Sequence, residues 1–358
     1  MTEVTGAAQL QAWRDGVMPP VEEVRPGLWS IPLPLPRNPL RYVLVYALEC
    51  DGGIALVDAG WNTEEAWATL GAGLETLGAT VEQVTGVLVT HIHPDHYGLA
   101  ARIREASGAW VALHPADAAV LPERYEEVDA LLDRMASLLR ACGVPQLELD
   151  ELSAASMSIR QFVEVTQPDR LLDDGDVVPL GGRELRAVWT PGHSPGHLCF
   201  YDATHRLLLA GDHVLPRITP NISVHAQQRP NPLAEFLDAL QKVRGLDVDE
   251  VLPAHEYRFR NLAGRVDDLL LHHAERLSVI EAMVAATPGI TCWDLTVALP
   301  WSRAWPDIPP FMRRAANGET LAHLMVLLAA GRVARHGGEP WHWVPPSGSR
   351  RGDGLWRL

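Results

Sequence analysis

The sequence is poor in cysteine, and the few cysteines lie far apart along the chain. No CxxC pair occurs among them. Closely spaced cysteine pairs are typical of disulfide frameworks and of thiolate zinc sites. The spacing favours neither arrangement, so we interpret these residues as small buried hydrophobic side chains. They are Cys50, Cys142, Cys199 and Cys292.

Positive charge and long apolar runs are scarce as well. The 358 residues include 30 Lys and Arg against 45 Asp and Glu, which gives a formal net charge of -15 at pH 7. This balance argues against general binding to nucleic acid and to anionic membranes, because both would repel an acidic protein. No apolar run reaches the roughly 18 residues of a membrane-spanning helix, and the first residues do not resemble a signal peptide. We therefore expect a cytoplasmic protein.

The feature that organises the chain is a histidine-rich stretch from Thr90 to Gly98. It follows the apolar run Val87-Leu88-Val89, which predicts a short buried strand. Burying several imidazoles and a carboxylate together is costly unless a cation holds them, so the pattern favours a metal site, with two adjacent ions fitting better than one. A solvated histidine-rich turn is the alternative. The ligand-type side chains are His91, His93, Asp95 and His96.

Further ligand-type residues follow other predicted strands. Strand ends in an α/β sandwich gather along one rim, so these side chains are candidates for the same site. Each is ambiguous alone, since a single Asp after a strand is commonly a turn former or a helix cap. His197 and His213 lie beside two of them and are interpreted as hydrogen-bonding neighbours. The candidates are Asp58, His193, Asp212 and His255.

The β/α pattern is interrupted once and then ends. Residues 115–165 have a mostly helical pattern, which predicts an insertion that either caps the site or adds helical packing at the edge of the core. From residue 262 onward the pattern is three helices followed by a hairpin, which indicates a small winged-helix-like module. We therefore predict a catalytic domain over residues 1–261 and a C-terminal module over residues 262–358.

With these motifs in order, the chain resembles the metallo-β-lactamase-fold hydrolase superfamily. The resemblance rests on five motifs, which are Val57-Asp58-Ala59-Gly60, the cluster from His91 to His96, Pro191-Gly192-His193, Gly211-Asp212 and Ala254-His255. It implies an α/β fold, specifically an αββα sandwich with a dinuclear metal site on the rim between two sheets. The C-terminal module further resembles that of lactamase-like-2 proteins, which pair this fold with a winged helix.

The resemblance also implies a set of ligands. His91, His93 and His193 would hold one metal, Asp95, His96 and His255 would hold the other, and Asp212 would bridge the two. Asp58 would support the cluster without touching a metal. Zinc suits the imidazole-rich set, while iron and manganese accept the same nitrogen and oxygen ligands.

Two positions separate branches of the superfamily. Flavodiiron-type members carry Glu where this chain has His93, which argues against redox diiron chemistry. Antibiotic-hydrolysing members generally lack a bridging carboxylate at the position of Asp212. The pattern therefore resembles the thioesterase, lactonase and phosphodiesterase branches.

These features lead to three competing functions. The first is a hydrolase in which two divalent ions about 3.5 to 4 Å apart share a hydroxide that attacks a small-molecule or carrier-linked ester, thioester or lactone, with Asp212 or Asp95 accepting a proton. The second is a ribonuclease or phosphodiesterase whose winged-helix module binds RNA. The third is a metal-containing binding protein without activity. The acidic charge favours the first over the second.

Overall fold

The computed structural model describes residues 2–155 and 157–346, which form a mixed α/β fold. The strands are β1 (Glu3–Val4), β2 (Glu22–Arg25), β3 (Leu28–Pro34), β4 (Tyr42–Cys50), β5 (Gly53–Val57), β6 (Val84–Leu88), β7 (Trp110–Leu113), β8 (Arg170–Leu171), β9 (Val177–Pro179), β10 (Glu184–Trp189), β11 (Leu198–Asp202), β12 (Leu207–Gly211), β13 (Glu250–Pro253), β14 (Phe259–Arg260), β15 (Ala334–His336) and β16 (His342–Val344).

The helices alternate with these strands in the first part of the chain and dominate its last part. They are α1 (Ala7–Asp15), α2 (Glu64–Thr76), α3 (Pro94–Tyr97), α4 (Ala100–Ser107), α5 (Pro115–Ala118), α6 (Leu121–Tyr125), α7 (Val128–Cys142), α8 (Gln146–Ala154), α9 (Pro232–Arg244), α10 (Leu262–Ala286), α11 (Cys292–Ala298) and α12 (Pro310–Ala329). Short 3₁₀ turns occupy Val81–Gln83, Met157–Phe162 and Trp305–Asp307.

Two large sheets carry the fold. One has the strand order β2-β3-β4-β5-β6-β7-β8 and the other has the order β1-β14-β13-β12-β11-β10-β9. Each sheet contains a parallel pair near its middle, β5 with β6 and β12 with β13. Because parallel strands end at the same edge of a sheet, residues that follow such a pair lie side by side.

The central strand β4 shows how the sheets pack. It is buried on both faces, as its almost continuous apolar run predicts. Side chains alternate along a strand, so Leu44, Tyr46 and Leu48 join a core shared with the second sheet, while Val43 and Val45 join a core that also contains residues of α2 and α4. The shared core between two sheets confirms the sandwich that the sequence resemblance implied.

The chain divides into two compact units. The first comprises residues 1–125, 159–220 and 239–266, and the second comprises residues 126–158, 221–238 and 267–358. Within the second unit, α10, α11 and α12 contribute to a core around Leu277, Leu295, Leu321 and Trp343, and β15 pairs with β16 as the predicted hairpin. Helices α7 and α8 of the predicted insertion also fall in this unit, so the boundary at residues 261 and 262 stays a prediction.

Two predicted segments differ from the structure. The sequence pattern of residues 1–25 predicts an irregular or partly helical segment, but the structure has two strands there besides α1, because β1 pairs with the distant β14. The sequence pattern predicts a last helix that begins at Glu319, whereas α12 begins at Pro310, since a proline in the first helical turn needs no hydrogen-bond partner for its nitrogen. Among the described residues, no helix combines the length and the apolar character that crossing a membrane requires.

Candidate metal centre

The fold delivers the predicted ligands to neighbouring strand ends in both sheets. Asp58 follows β5 and His91 comes after β6, two adjacent parallel strands of the first sheet. Asp212 follows β12 and His255 comes after β13, the parallel pair of the second sheet. His193 lies in the turn between β10 and β11. The regular geometry of parallel strands thus brings together residues that are far apart in sequence.

Three histidines form the first cluster. The Nε2 atom of His91 lies 2.9 Å from Nδ1 of His93, and the ring of His193 is 4.8 Å from that of His91 and 4.6 Å from that of His93 between centroids. One ligand nitrogen from each residue lies within 4.8 Å of the other two. The three rings therefore converge on a volume that fits one cation.

The second cluster combines two histidines with a carboxylate. Nε2 of His255 lies 3.4 Å from Oδ2 of Asp95, and Nε2 of His96 lies 3.7 Å from the same oxygen. His96 and His255 are fully buried, and Asp95 comes from the first turn of α3, which Pro94 opens. The second set of donors fits a cation as well.

Asp212 faces both clusters with its two carboxylate oxygens. Its Oδ2 lies 3.5 Å from Nε2 of His193 in the first cluster. Its Oδ1 lies 3.2 Å from Nε2 of His255 and 3.6 Å from Nε2 of His96 in the second. A carboxylate in this position is suited to bridge two cations, since each oxygen is available to a different one.

Asp58 fixes the orientation of His96. Its Oδ2 lies 2.7 Å from Nδ1 of His96, while Oδ1 accepts hydrogen bonds of 2.8 Å and 2.9 Å from the backbone N–H and the hydroxyl of Thr90. The φ of Asp58 is 67°, in the left-handed region that Asp and Asn tolerate best among residues with a side chain. Asp58 thus holds the ring whose other nitrogen points into the second cluster.

The donor atoms themselves indicate that a cation fits. Nδ1 of His96 donates its proton to Asp58. Nδ1 of His255 lies 2.9 Å from the Tyr42 carbonyl oxygen, and because a carbonyl oxygen only accepts hydrogen bonds, this nitrogen must also carry a proton. Both Nε2 atoms are therefore lone-pair donors in the neutral rings. Among the described residues, these two atoms and Oδ1 of Asp212 are buried without a hydrogen-bond partner. Unsatisfied buried acceptors facing one another are expected where a metal binds.

The pKa values of the histidines in the site depend on two opposing effects, burial of the ring and the charge of neighbouring carboxylates. Burial lowers the pKa of His91 well below its ordinary value, and the neighbouring rings lower it further. Burial would also lower the pKa of His96, but carboxylates, led by Asp58, raise it well above its ordinary value. Asp212 contributes most to raising the pKa of His255 to about 10 against the effect of burial. A metal ion would displace the protons that these rings hold in the metal-free chain.

Of the two residues interpreted as hydrogen-bonding neighbours of the ligands, His197 is hydrogen-bonded as expected. His197 is fully buried, and its Nε2 accepts the backbone N–H of Asp212 at 3.1 Å, while Nδ1 lies 2.8 Å from the Thr190 hydroxyl. His213 is also fully buried. The hydroxyl of Tyr97 contacts the backbone of Thr166.

The sequence did not indicate three residues that contact the ligand segments. They are Thr90, whose hydroxyl bonds Asp58, Tyr42, whose carbonyl accepts from His255, and Asp117, which contacts both the segment of His91 and that of His193. A backbone carbonyl such as that of Tyr42 leaves no sequence signal. Asp117 follows His114-Pro115, and the motif predicts only a helix start.

The two-sheet fold thus places facing histidine and carboxylate clusters at its strand ends, an arrangement that fits two cations. The family model described as the metallo-beta-lactamase superfamily matches residues 38–255, and the chain belongs to this superfamily. The match covers every predicted ligand position.

Curated relatives include acyl-coenzyme A thioesterases. The chain is 35% identical over 179 residues to acyl-coenzyme A thioesterase MBLAC2 of Gallus gallus, a match that covers 47% of this chain and 55% of that protein. It is 26% identical over 267 residues to lactamase-like protein vrtG of Penicillium aethiopicum, covering 74% of this chain and 64% of the relative. The chain thus spans about half the length of the thioesterases it matches.

Solved structures extend the similarity to nearly the whole chain. A metallo-beta-lactamase family protein from Thermus thermophilus is 33% identical, with a TM-score of 0.79, over 90% of this chain and 100% of that chain. A beta-lactamase domain protein from Burkholderia ambifaria is 27% identical, with a TM-score of 0.78, over 96% of this chain and 98% of that chain.

Proposed function

We propose that the chain is a dinuclear-metal hydrolase of acyl thioesters, with acyl-coenzyme A esters as the first candidates. The observation that carries the proposal is the pair of ligand clusters with Asp212 between them. The choice of thioesters among carbonyl substrates is supported by the 35% identity to a protein named as an acyl-coenzyme A thioesterase. A small-molecule or carrier-linked acyl group is therefore the proposed partner.

The proposed ligands fall into two sets joined by one carboxylate. Zinc is the proposed ion at both sites because imidazole nitrogens dominate the donor set, and iron and manganese are the alternatives. Asp58 is proposed to hold the ring of His96 through its 2.7 Å contact. The first set is His91, His93 and His193, the second is Asp95, His96 and His255, and Asp212 belongs to both.

Bound divalent ions would lower the pKa of a water toward about 7, which would supply a nucleophile at neutral pH, and they would polarise the carbonyl. The chain supplies orientation and a proton acceptor. His255 is fixed through Nδ1 by the Tyr42 carbonyl, and Asp212 is fixed through its N–H by His197. A carboxylate oxygen of Asp95 or Asp212 accepts the proton that the attacking water releases. The water oxygen forms the new C–O bond and the thiolate leaves as the C–S bond breaks, so no side-chain nucleophile is required.

The proposal also covers the organisation of the chain. Residues 1–261 are the proposed catalytic domain, with residues 115–165 as its insertion, and residues 262–358 are the proposed winged-helix-like module. The ligand residues all belong to the first compact unit.

The test is a substrate panel with a metal assay. Elemental analysis of protein purified without chelator, or reloaded with zinc, should find about two metals per chain. The loaded enzyme is then assayed with acyl thioesters, oxygen esters, lactones, a phosphodiester and short RNAs. We expect thioesters to have the highest kcat/KM and activity to disappear when a chelator removes the metal.

Two results would overturn the proposal. A chain that takes up neither zinc, iron nor manganese does not have the proposed site. Cleavage of RNA with a higher kcat/KM than every carbonyl substrate would replace the thioesterase by a ribonuclease, and faster turnover of lactones than of thioesters would keep the mechanism but change the substrate.

A further inference from the structure

Asp117 connects two loops that carry ligands of the first cluster. Its Oδ2 accepts hydrogen bonds from the Ser194 hydroxyl at 2.8 Å and from the backbone N–H of Ile92 at 3.1 Å. Its Oδ1 accepts the backbone N–H of Gly196 at 2.6 Å. The residue is fully buried, so these three donors satisfy a charge that has no access to water.

Two of the groups that donate to Asp117 belong to residues next to candidate ligands in the sequence. Ile92 lies between His91 and His93, and Ser194 follows His193. The Ile92 peptide is fixed at both of its polar atoms, because its carbonyl accepts the Tyr125 hydroxyl at 2.6 Å. The loop after β6 and the loop after β10 come from different sheets, yet both bond to one carboxylate.

The close approach of these segments is itself specific. A Cβ atom at Gly196 would lie 2.6 Å from the backbone nitrogen of Asp117, a distance that real Cβ atoms essentially never show. Asp117 is held by α5, whose first residue follows His114, and the His114 ring stacks on Trp189 at 5.1 Å with the planes 7° apart. Trp189 ends β10, so a second contact joins the same two segments.

We propose that Asp117 is a positioning residue that sets the distance between the His91–His93 pair and His193, and so determines the affinity of the first cluster for its metal. The inference rests on the ligand set proposed above. Two of the three hydrogen bonds of Asp117 involve residues next to ligands in sequence, Ile92 and Ser194. The third involves Gly196, in the loop that carries His193. Asp117 therefore acts on the ligand side chains through the two segments that carry them.

Asn is the informative replacement at Asp117. The Asn amide has nearly the shape of the carboxylate, but one of its two ends is an NH₂ donor. Both carboxylate oxygens of Asp117 accept from donors, so in either orientation of the amide the NH₂ group would face another donor. Asp202→Asn is the matched control, because Asp202 is also buried and also accepts a backbone N–H, from His205 at 2.9 Å, at a position away from the ligand loops. Ser194→Ala removes a single donor and serves if Asp117→Asn does not fold.

The experiment measures stepwise zinc binding to the full metal-free chain by chelator competition, together with denaturant unfolding of the same metal-free samples. We expect Asp117→Asn to weaken one of the two zinc constants by about 10- to 100-fold and to leave the other nearly unchanged. Ser194→Ala should weaken the same constant by a smaller factor. Asp202→Asn should keep both wild-type constants even where it lowers the unfolding midpoint.

The outcomes separate this inference from the proposed function. Wild-type zinc constants in both Asp117→Asn and Ser194→Ala would overturn the positioning role. Equal weakening of both constants in Asp117→Asn and Asp202→Asn would also overturn it, since general destabilisation would explain the loss. If the wild-type chain itself binds no zinc, the ligand set is wrong and the proposed function fails with it.

Discussion

Two groups of buried histidines among the described residues have opposite surroundings. At the metal centre, the rings of His96 and His255 face the carboxylates of Asp95 and Asp212. In the second compact unit, His273 and His323 face each other, with Nδ1 of His273 3.1 Å from Nε2 of His323. Nδ1 of His323 donates to the carbonyl of Glu319 at 2.8 Å.

The pKa values show what this difference means. Burial lowers the pKa of His273 well below its ordinary value and that of His323 to about 3, so both rings stay neutral at neutral pH. At the metal centre, carboxylates reverse the effect of burial on the pKa values of His96 and His255. Buried imidazoles alone are therefore a packing feature, whereas buried imidazoles that share carboxylates form a site that attracts cations.

The largest effect should follow from removing the carboxylate that joins the two clusters. We expect Asp212→Ala to lower kcat by about 10²- to 10⁴-fold, because it removes the shared ligand and a proton acceptor. The measurement is turnover of the best substrate of the panel at equal metal content, with circular dichroism to verify folding. Wild-type turnover in this variant would contradict the bridging role.

A paired substitution tests the comparison directly. His96→Asn should reduce zinc from about two ions per chain to about one, because His96 is one of the three residues of the second cluster. His323→Asn should retain both ions, since its ring has no carboxylate partner among the described residues. Elemental analysis after dialysis measures both. Loss of zinc in His323→Asn would show that the two histidine groups are not distinct.

The smallest effect concerns acid stability. The pKa of His323 is about 3 in the folded chain, against an ordinary value of 6.5, so the unfolded chain binds the extra proton first as the pH falls. The contribution of the neutral His323 ring to the stability of the folded chain is therefore present above about pH 6.5 and is lost as the pH falls toward 3.

His323→Asn should reduce this acid sensitivity, since Asn does not titrate and its amide can still donate to Glu319. Between about pH 7.5 and pH 5, the free energy of unfolding of the metal-free variant should fall by about 2 kcal/mol less than that of the wild type. Arg276, His272 and His273 are the other charged or titratable groups near this ring and remain unchanged. Parallel pH profiles for both proteins would contradict the assignment.

The candidate ligand positions could be proposed from the sequence because they follow apolar strands and lie within short motifs. Asp212 and His255, for example, follow runs of buried residues that mark β12 and β13. Strands that depend on distant partners were missed, such as β1, which pairs with β14 across more than half of the chain. The contacts of Asp117 were equally hidden, since its donors come from residues 92, 194 and 196.

The ligands of the second cluster have a consequence for the order in which the protein assembles. His96 and His255 come from different sheets and are separated by 255 − 96 = 159 positions in the sequence. During synthesis, the emerging chain presents His91, His93, Asp95 and His96 long before β13 exists. The second cluster is complete only after both sheets have formed. Metal binding at that cluster therefore requires that the whole sandwich has folded.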